Sequence, residues 1–229
     1  MEHFSWFTLL GLGRYDPILG AILVVLFLIF AAYKIKKNLS KEDAVLPDVK
    51  FSLRTIFEIL TIDFLLDLFT NMMGSREKAK KYFPLLGTAF MFILFSNLLG
   101  MIPGFLAPTG NFNTTVACAL VVFIMYNFYG FKEHGIGYLK QFAGPLIYIA
   151  PLMFVIELVS HLVRPASLSL RLFWNMTGDH LVLGIFTNLT HLVIPALFIA
   201  LGLFVSLLQA FIFTVLSAIY ISLAITHEH

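Results

Sequence analysis

Residues 192–225 run for 34 positions without a charged side chain. As a single helix this stretch would be roughly 51 Å long at about 1.5 Å per residue. A bilayer hydrocarbon core is only about 30 Å thick, so one crossing would need a tilt of roughly 50° or more, beyond the ordinary limit of about 40°. The run therefore either breaks in two or is held steeply tilted. Residues 146–187 pose the same problem, and their 42 positions also include Glu157, His161, Arg164, Arg171, Asp179 and His180. The composition of the whole chain agrees: 59% of its 229 residues are hydrophobic and 12% charged, against roughly 45–50% and about 25% in soluble domains. Inside a membrane the backbone must satisfy its own hydrogen bonds, which leaves helices or a closed barrel, and these apolar runs do not alternate as barrel strands do. The chain thus reads as an all-α integral membrane protein with a single membrane domain over residues 1–229.

Three shorter crossings precede the long runs. Residues 17–33 form a first span, followed at once by Lys34, Lys36, Lys37 and Lys41, with only Arg14 before it. That order is the reverse of a cleaved signal peptide, so a retained span with its N-terminus outside is expected. Residues 48–82 are amphipathic but too charged to cross, carrying Arg54, Glu58, Asp63 and Asp67 before the cluster Arg76, Glu77, Lys78, Lys80 and Lys81. They read as a cytoplasmic interfacial segment whose polar stripe changes sides near Thr61, which predicts two short pieces or a kink. Spans over 83–104 and 114–131 then make a hairpin open to the outside, with Lys132 and Lys140 marking the return to the cytoplasm. On this layout twelve of the fifteen basic residues lie inside and Arg14 outside, leaving Arg164 and Arg171 unexplained by topology.

Arg171 lies in Ser167-Leu168-Ser169-Leu170-Arg171-Leu172-Phe173. A guanidinium there is costly and effectively never loses its proton, so it is a fixed positive charge and not a proton relay. Its counterpart is a carboxylate, on another chain or on Glu157, unless the side chain snorkels to the interface. Glu157, His161 and Arg164 share one side of a helix, which Arg171 extends if Pro165 does not rotate it. Such a line can hold water and pass protons, or Glu157 and Arg164 simply neutralise each other. Asn175 follows Arg171 by four residues and shares its face, whereas His180, beside Asp179, is nine residues on and points the opposite way. Gln209 is the strongly polar residue of the last run and can hydrogen-bond Arg171 or water across a helix pair, or serve only to hold helices together.

Other classes of function fall away. A net charge of +2 gives no basic field for nucleic acid. There is no phosphate-cradling glycine loop, no nucleophile with a base partner and no metal cluster, so no cofactor and no catalytic centre are expected. Cys118 sits in an apolar run as filling, and the His227-Glu228-His229 tail is at most a weak adventitious chelator.

Several blocks occur in a recognisable order: Ser96-Asn97-Leu98-Leu99-Gly100, Ile102-Pro103-Gly104, Pro108-Thr109 with Asn113-Thr114, Ile156-Glu157, Arg164-Pro165, the arginine block with Asn175-Met176, and Leu208-Gln209-Ala210-Phe211-Ile212-Phe213. Together they resemble subunit a of rotary F-type ATP synthases, the stator half of the proton channel. The resemblance implies that Arg171 is the essential arginine facing a ring of c subunits. It places Glu157, Asn175, His180 and Gln209 at polar channel positions, to which His161 and Asp179 are added here as proton-path candidates. It also implies a hairpin of two long, steeply tilted helices over 146–187 and 190–226, peripheral-stalk b subunits and the rest of the complex as partners, and a bacterial inner-membrane location with the C-terminus in the cytoplasm. Trp174, Thr177 and Asp179 depart from the family's usual residues, Trp174 replacing a small glycine. The rival readings are a self-contained ion transporter, for which only Glu157 and Asp179 would supply deep carboxylates, and a non-conducting scaffold in which Arg171 is an assembly contact.

Overall fold

The computed structural model describes residues 5–9, 11, 13–39, 59–102, 104–135, 137–138, 150–189 and 193–225. The first part of the expected interfacial segment, with Arg54 and Glu58, lies outside these, as do Lys41, Lys50, Lys140, His191 and the three-residue His-Glu-His tail.

Among the described residues the ordered elements are helical. They are α1 (Trp6–Leu9), α2 (Asp16–Leu39), a π-helix (Ile59–Leu66) continued by α3 (Asp67–Met73), α4 (Arg76–Gly100), α5 (Phe112–His134), α6 (Ala150–Leu189) and α7 (Val193–Ile225), with short 3₁₀ turns at Gly13–Tyr15 and Pro108–Gly110. Five of them, α2 and α4 to α7, are long and apolar enough to cross a membrane. The chain divides into two compact units, Met1–Pro108 and Thr109–His229.

In the first unit, α2 packs on α4 through Phe27 and Phe95, whose ring centroids are 5.2 Å apart, and α3 packs on α4 through Phe69 and Phe83 at 6.2 Å. The helix passes through Thr61 without a break, as a wide π turn. The chain bends instead at Gly74, which ends α3 in the left-handed region at φ 68°, a conformation that glycine adopts without steric cost. The basic cluster from Arg76 to Lys81, expected at the interface, forms the first turns of α4. Near the start of the chain, the Ser5 hydroxyl donates to Asp16 at 2.6 Å, and the Trp6 amide donates to the Gly104 carbonyl at 3.0 Å.

The second unit holds the long runs. Neither breaks: α6 has 40 residues and α7 has 33, so they are about 60 Å and 50 Å long. Their contacts pair Phe186 with Phe198, Asn175 with Gln209 and Arg164 with Tyr220. One number falls as the other rises, so the helices are antiparallel along most of their length. Phe112 meets Phe173 and Tyr126 meets His161, making α5 antiparallel to α6 as well. The buried face of α7 is rich in small residues, Gly202, Ser206, Ala210, Thr214, Ser217 and Ala218, set among the larger Gln209, Phe213 and Ile221. Thr214 and Ser217 satisfy their hydroxyls on the carbonyls of Ala210 and Phe213, 2.8 and 2.7 Å away. Small residues let helix backbones approach closely where lipid offers no hydrophobic drive to association.

Ala210 has no exposed surface, so Ala210→Leu should overpack this seam and cost about 1–3 kcal/mol. The expected result is a lower melting temperature of the detergent-solubilised assembly, measured by thermal unfolding.

Candidate functional site

Arg171 lies near the middle of helix α6. Among the described residues its guanidinium makes no hydrogen bond and no ion pair, and the side chain is half-buried. Glu157 is 14 residues, or about 21 Å, from Arg171 along α6 and so out of its reach; it pairs with Arg164, whose Nη2 lies 3.2 Å from Glu157 Oε1. The two side chains keep 24% and 34% of their surface exposed, so the pair is partly solvated and neutral as a unit. Arg164 also covers the Tyr220 ring at 5.5 Å, within the range of an attractive cation–π contact.

One turn beyond Arg171, Asn175 Nδ2 donates to Gln209 Oε1 at 2.6 Å across the helix pair. Gln209, 3% exposed, thus meets Asn175 in place of Arg171. The bond uses the amide oxygen of Gln209 and leaves its Nε2 buried without a hydrogen-bond partner, as is Thr177 Oγ1 two residues from Asn175. Buried polar atoms of this kind are the ones that ordered water satisfies in proteins.

Farther along α6, Asp179 lies flat on the backbone of α7 at Gly202. A Cβ added there would be 2.5 Å from Asp179 Oδ2 and 3.1 Å from Cγ, so the carboxyl occupies space that only glycine leaves open. Gly202 is a site residue that the sequence reading passed over, since a glycine announces a close approach only when the approaching group is known. His180, next to Asp179, is half-buried.

Trp174 is 63% exposed and stands three residues from Arg171, hence on the same side of α6. Its indole rests edge-on against Phe173 at 5.5 Å and projects outward, away from the packed seam. The exposed Leu170, Leu181 and Ile185 extend this apolar surface around the arginine.

His161 belongs to a different group. It is 6% exposed, with Nε2 2.9 Å from Asn127 Oδ1 and both ring nitrogens 3.3 Å from the Tyr126 hydroxyl. Tyr126, Asn127 and Tyr220 were not singled out from the sequence, because a tyrosine or asparagine in an apolar run has many uses. The structure thus separates the expected residues along α6 into the Arg164–Glu157 pair with His161 near its start, Arg171 and Asn175–Gln209 in the middle, and Asp179–His180 beyond.

Other proteins match most of this sequence. A family model described as ATP synthase A chain matches residues 18–222. The chain is 52% identical to ATP synthase subunit a of Bdellovibrio bacteriovorus over 189 residues, covering 82% of this chain and 81% of the relative. It is 44% identical to the subunit a of Sulfurihydrogenibium sp. over 91% of this chain and 95% of the relative, and 40% identical to that of Sorangium cellulosum over 91% and 82%. The chain therefore belongs to the ATP synthase subunit a family.

Proposed function

We propose that this chain is the membrane stator of a proton-translocating rotary ATP synthase, providing two aqueous half-channels to a c-ring with Arg171 as the barrier between them. The observation that carries the reading is an arginine that, among the described residues, has no counter-ion in the middle of a 40-residue apolar helix. An unpaired guanidinium in such a place is a strong demand for an anion from elsewhere. A carboxylate of a rotating c subunit meets that demand transiently, and the exposed apolar surface around Arg171, Trp174 included, is the face offered to it.

In this reading a proton enters one half-channel, neutralises a c-ring carboxylate, rides the ring and leaves through the second half-channel. Arg171 favours release by stabilising the ionised carboxylate as it arrives, and its field opposes direct passage between the half-channels. Asn175 and Gln209, with the unpartnered amide nitrogen of Gln209 and the Thr177 hydroxyl, form the wettable polar spot beside it. Asp179 and His180 supply the titratable groups of one half-channel, and the Glu157–Arg164 pair lines the other. Each proton crossing about 100 mV yields roughly 2.3 kcal/mol, so several are pooled by rotation for each ATP. This chain itself is non-catalytic: it conducts ions, and nucleotide chemistry belongs to other subunits.

The same proposal sets the topology. The protein is multi-pass in a bacterial inner membrane, with its N-terminus outside and C-terminus in the cytoplasm, residues 48–82 at the cytoplasmic interface, and α6 and α7 steeply tilted. Its partners are the c-ring, peripheral-stalk b subunits and the lipid bilayer.

Arg171→Ala should abolish proton-driven ATP synthesis in membrane vesicles while the complex still assembles, and normal synthesis in that variant refutes the assigned role. Arg171→Lys should fail too, since an ammonium can release its proton and lacks the planar fork. His180→Ala should reduce passive proton conduction through the membrane sector; unchanged conduction removes the imidazole from the path. Gly202→Val should displace the Asp179 carboxyl and slow proton flux through the membrane sector; unchanged flux removes the Asp179–Gly202 approach from the path.

A further inference from the structure

The hydrogen bonds of Asn127 fix what the side of His161 that faces it can do. Asn127 Nδ2 donates to the Phe123 carbonyl at 2.7 Å, an atom that can only accept, so the amide orientation of Asn127 is fixed. Its Oδ1 then faces both His161 Nε2 at 2.9 Å and the Tyr138 hydroxyl at 3.2 Å, and both must donate. His161 therefore carries its proton on Nε2 and spends it on an amide oxygen. An amide oxygen is no base at any ordinary pH, so this side of the imidazole cannot hand a proton on. The Tyr126 hydroxyl and the edge of Phe123, 5.1 Å from the imidazole centroid, enclose the rest of the ring.

The position of His161 on α6 explains why such a fixture is useful. Pro165 stands four residues later within the continuous helix. Proline has no N–H, so the His161 carbonyl loses its intrahelical donor, and the pyrrolidine ring crowds that same carbonyl. Helix α6 is thus weakest at the turn just before the segment that presents Arg171, which lies ten residues, or about 15 Å, beyond His161. On one side of this weak turn the His161–Asn127 bond ties α6 to α5; on another the Arg164–Tyr220 contact ties it to α7.

We infer that His161 is a positioning residue: with Asn127, Tyr126 and Tyr138 it clamps α6 to α5 at the proline turn and so fixes where Arg171 is presented. This inference rests on the role proposed for Arg171. It assigns the imidazole a donor's task, in place of the proton transfer expected from sequence.

The test uses the whole ATP synthase in inverted membrane vesicles, reading ATP-driven acidification per amount of subunit a. His161→Leu and Asn127→Leu should each lower pumping roughly fivefold or more, and the double variant should be no worse than either alone, as befits loss of one shared bond. His161→Gln places an amide N–H where Nε2 stands and does not titrate, so it should retain at least about half of the activity, a rescue that a relay role forbids. If the leucine variants fail to accumulate, His161→Gln decides alone: pumping supports the clamp, and failure to accumulate or to pump overturns it. Near-normal pumping in Asn127→Leu also overturns it. Arg171→Ala measured in parallel separates the two ideas, because normal pumping there sinks the stator reading whatever the imidazole does. An inactive Arg171→Ala together with an inactive His161→Gln sinks the clamp only.

Discussion

A guanidinium cannot discard its charge, and an apolar helix cannot dissolve it. The arrangement around α6 follows from how this chain handles that conflict. Glu157, two turns away from Arg164, is engaged by it, and Gln209, across the helix pair, is engaged by Asn175. Among the described residues Arg171 is left with no ion pair of its own. A site that satisfied the arginine internally would be more comfortable in lipid and useless for attracting an anion from another chain.

Holding such a charge in place requires a stiff support, and the two long helices provide it. A helix of 40 residues is too long to cross a bilayer upright, so its position must be set by side contacts. Those contacts are spread from Phe186 against Phe198 to Arg164 against Tyr220, with the small residues on the buried face of α7 allowing close approach. The weak point introduced by Pro165 lies between contacts to α5 and to α7. The polar residues of α6 thus divide between supporting the helix and equipping its exposed face, and residues of the same type fall on both sides of that division: His161 is enclosed by α5, whereas His180 lies beside the Asp179 carboxyl that rests on Gly202.

Trp174 and Asp179 also gain a setting. Trp174 enlarges the exposed apolar surface three residues from Arg171 and leaves the helix seam untouched. Asp179 fits because α7 offers a glycine opposite it.

Much of this was legible in the residue order. Long uncharged runs demand helices because buried backbone groups must pair within their own segment, and a lone arginine in such a run demands attention because its charge is permanent. The spacing of Arg171 and Asn175 placed them on one face, since helical periodicity is local. What the order of residues left open was whether the two long runs break, whether Glu157 pairs with Arg164 or with Arg171, and what Gln209 meets. The Glu157–Arg164 pair is settled within two turns of α6 once that helix is continuous; what Gln209 meets depends on which residues come together from distant parts of the chain. The engagement of His161 by Asn127, and of Asp179 by Gly202, likewise joins positions 34 and 23 residues apart. Periodicity reaches only a few turns along one helix; which face meets which neighbour is decided by packing, and that is where the tertiary structure separated a titratable group from a donor.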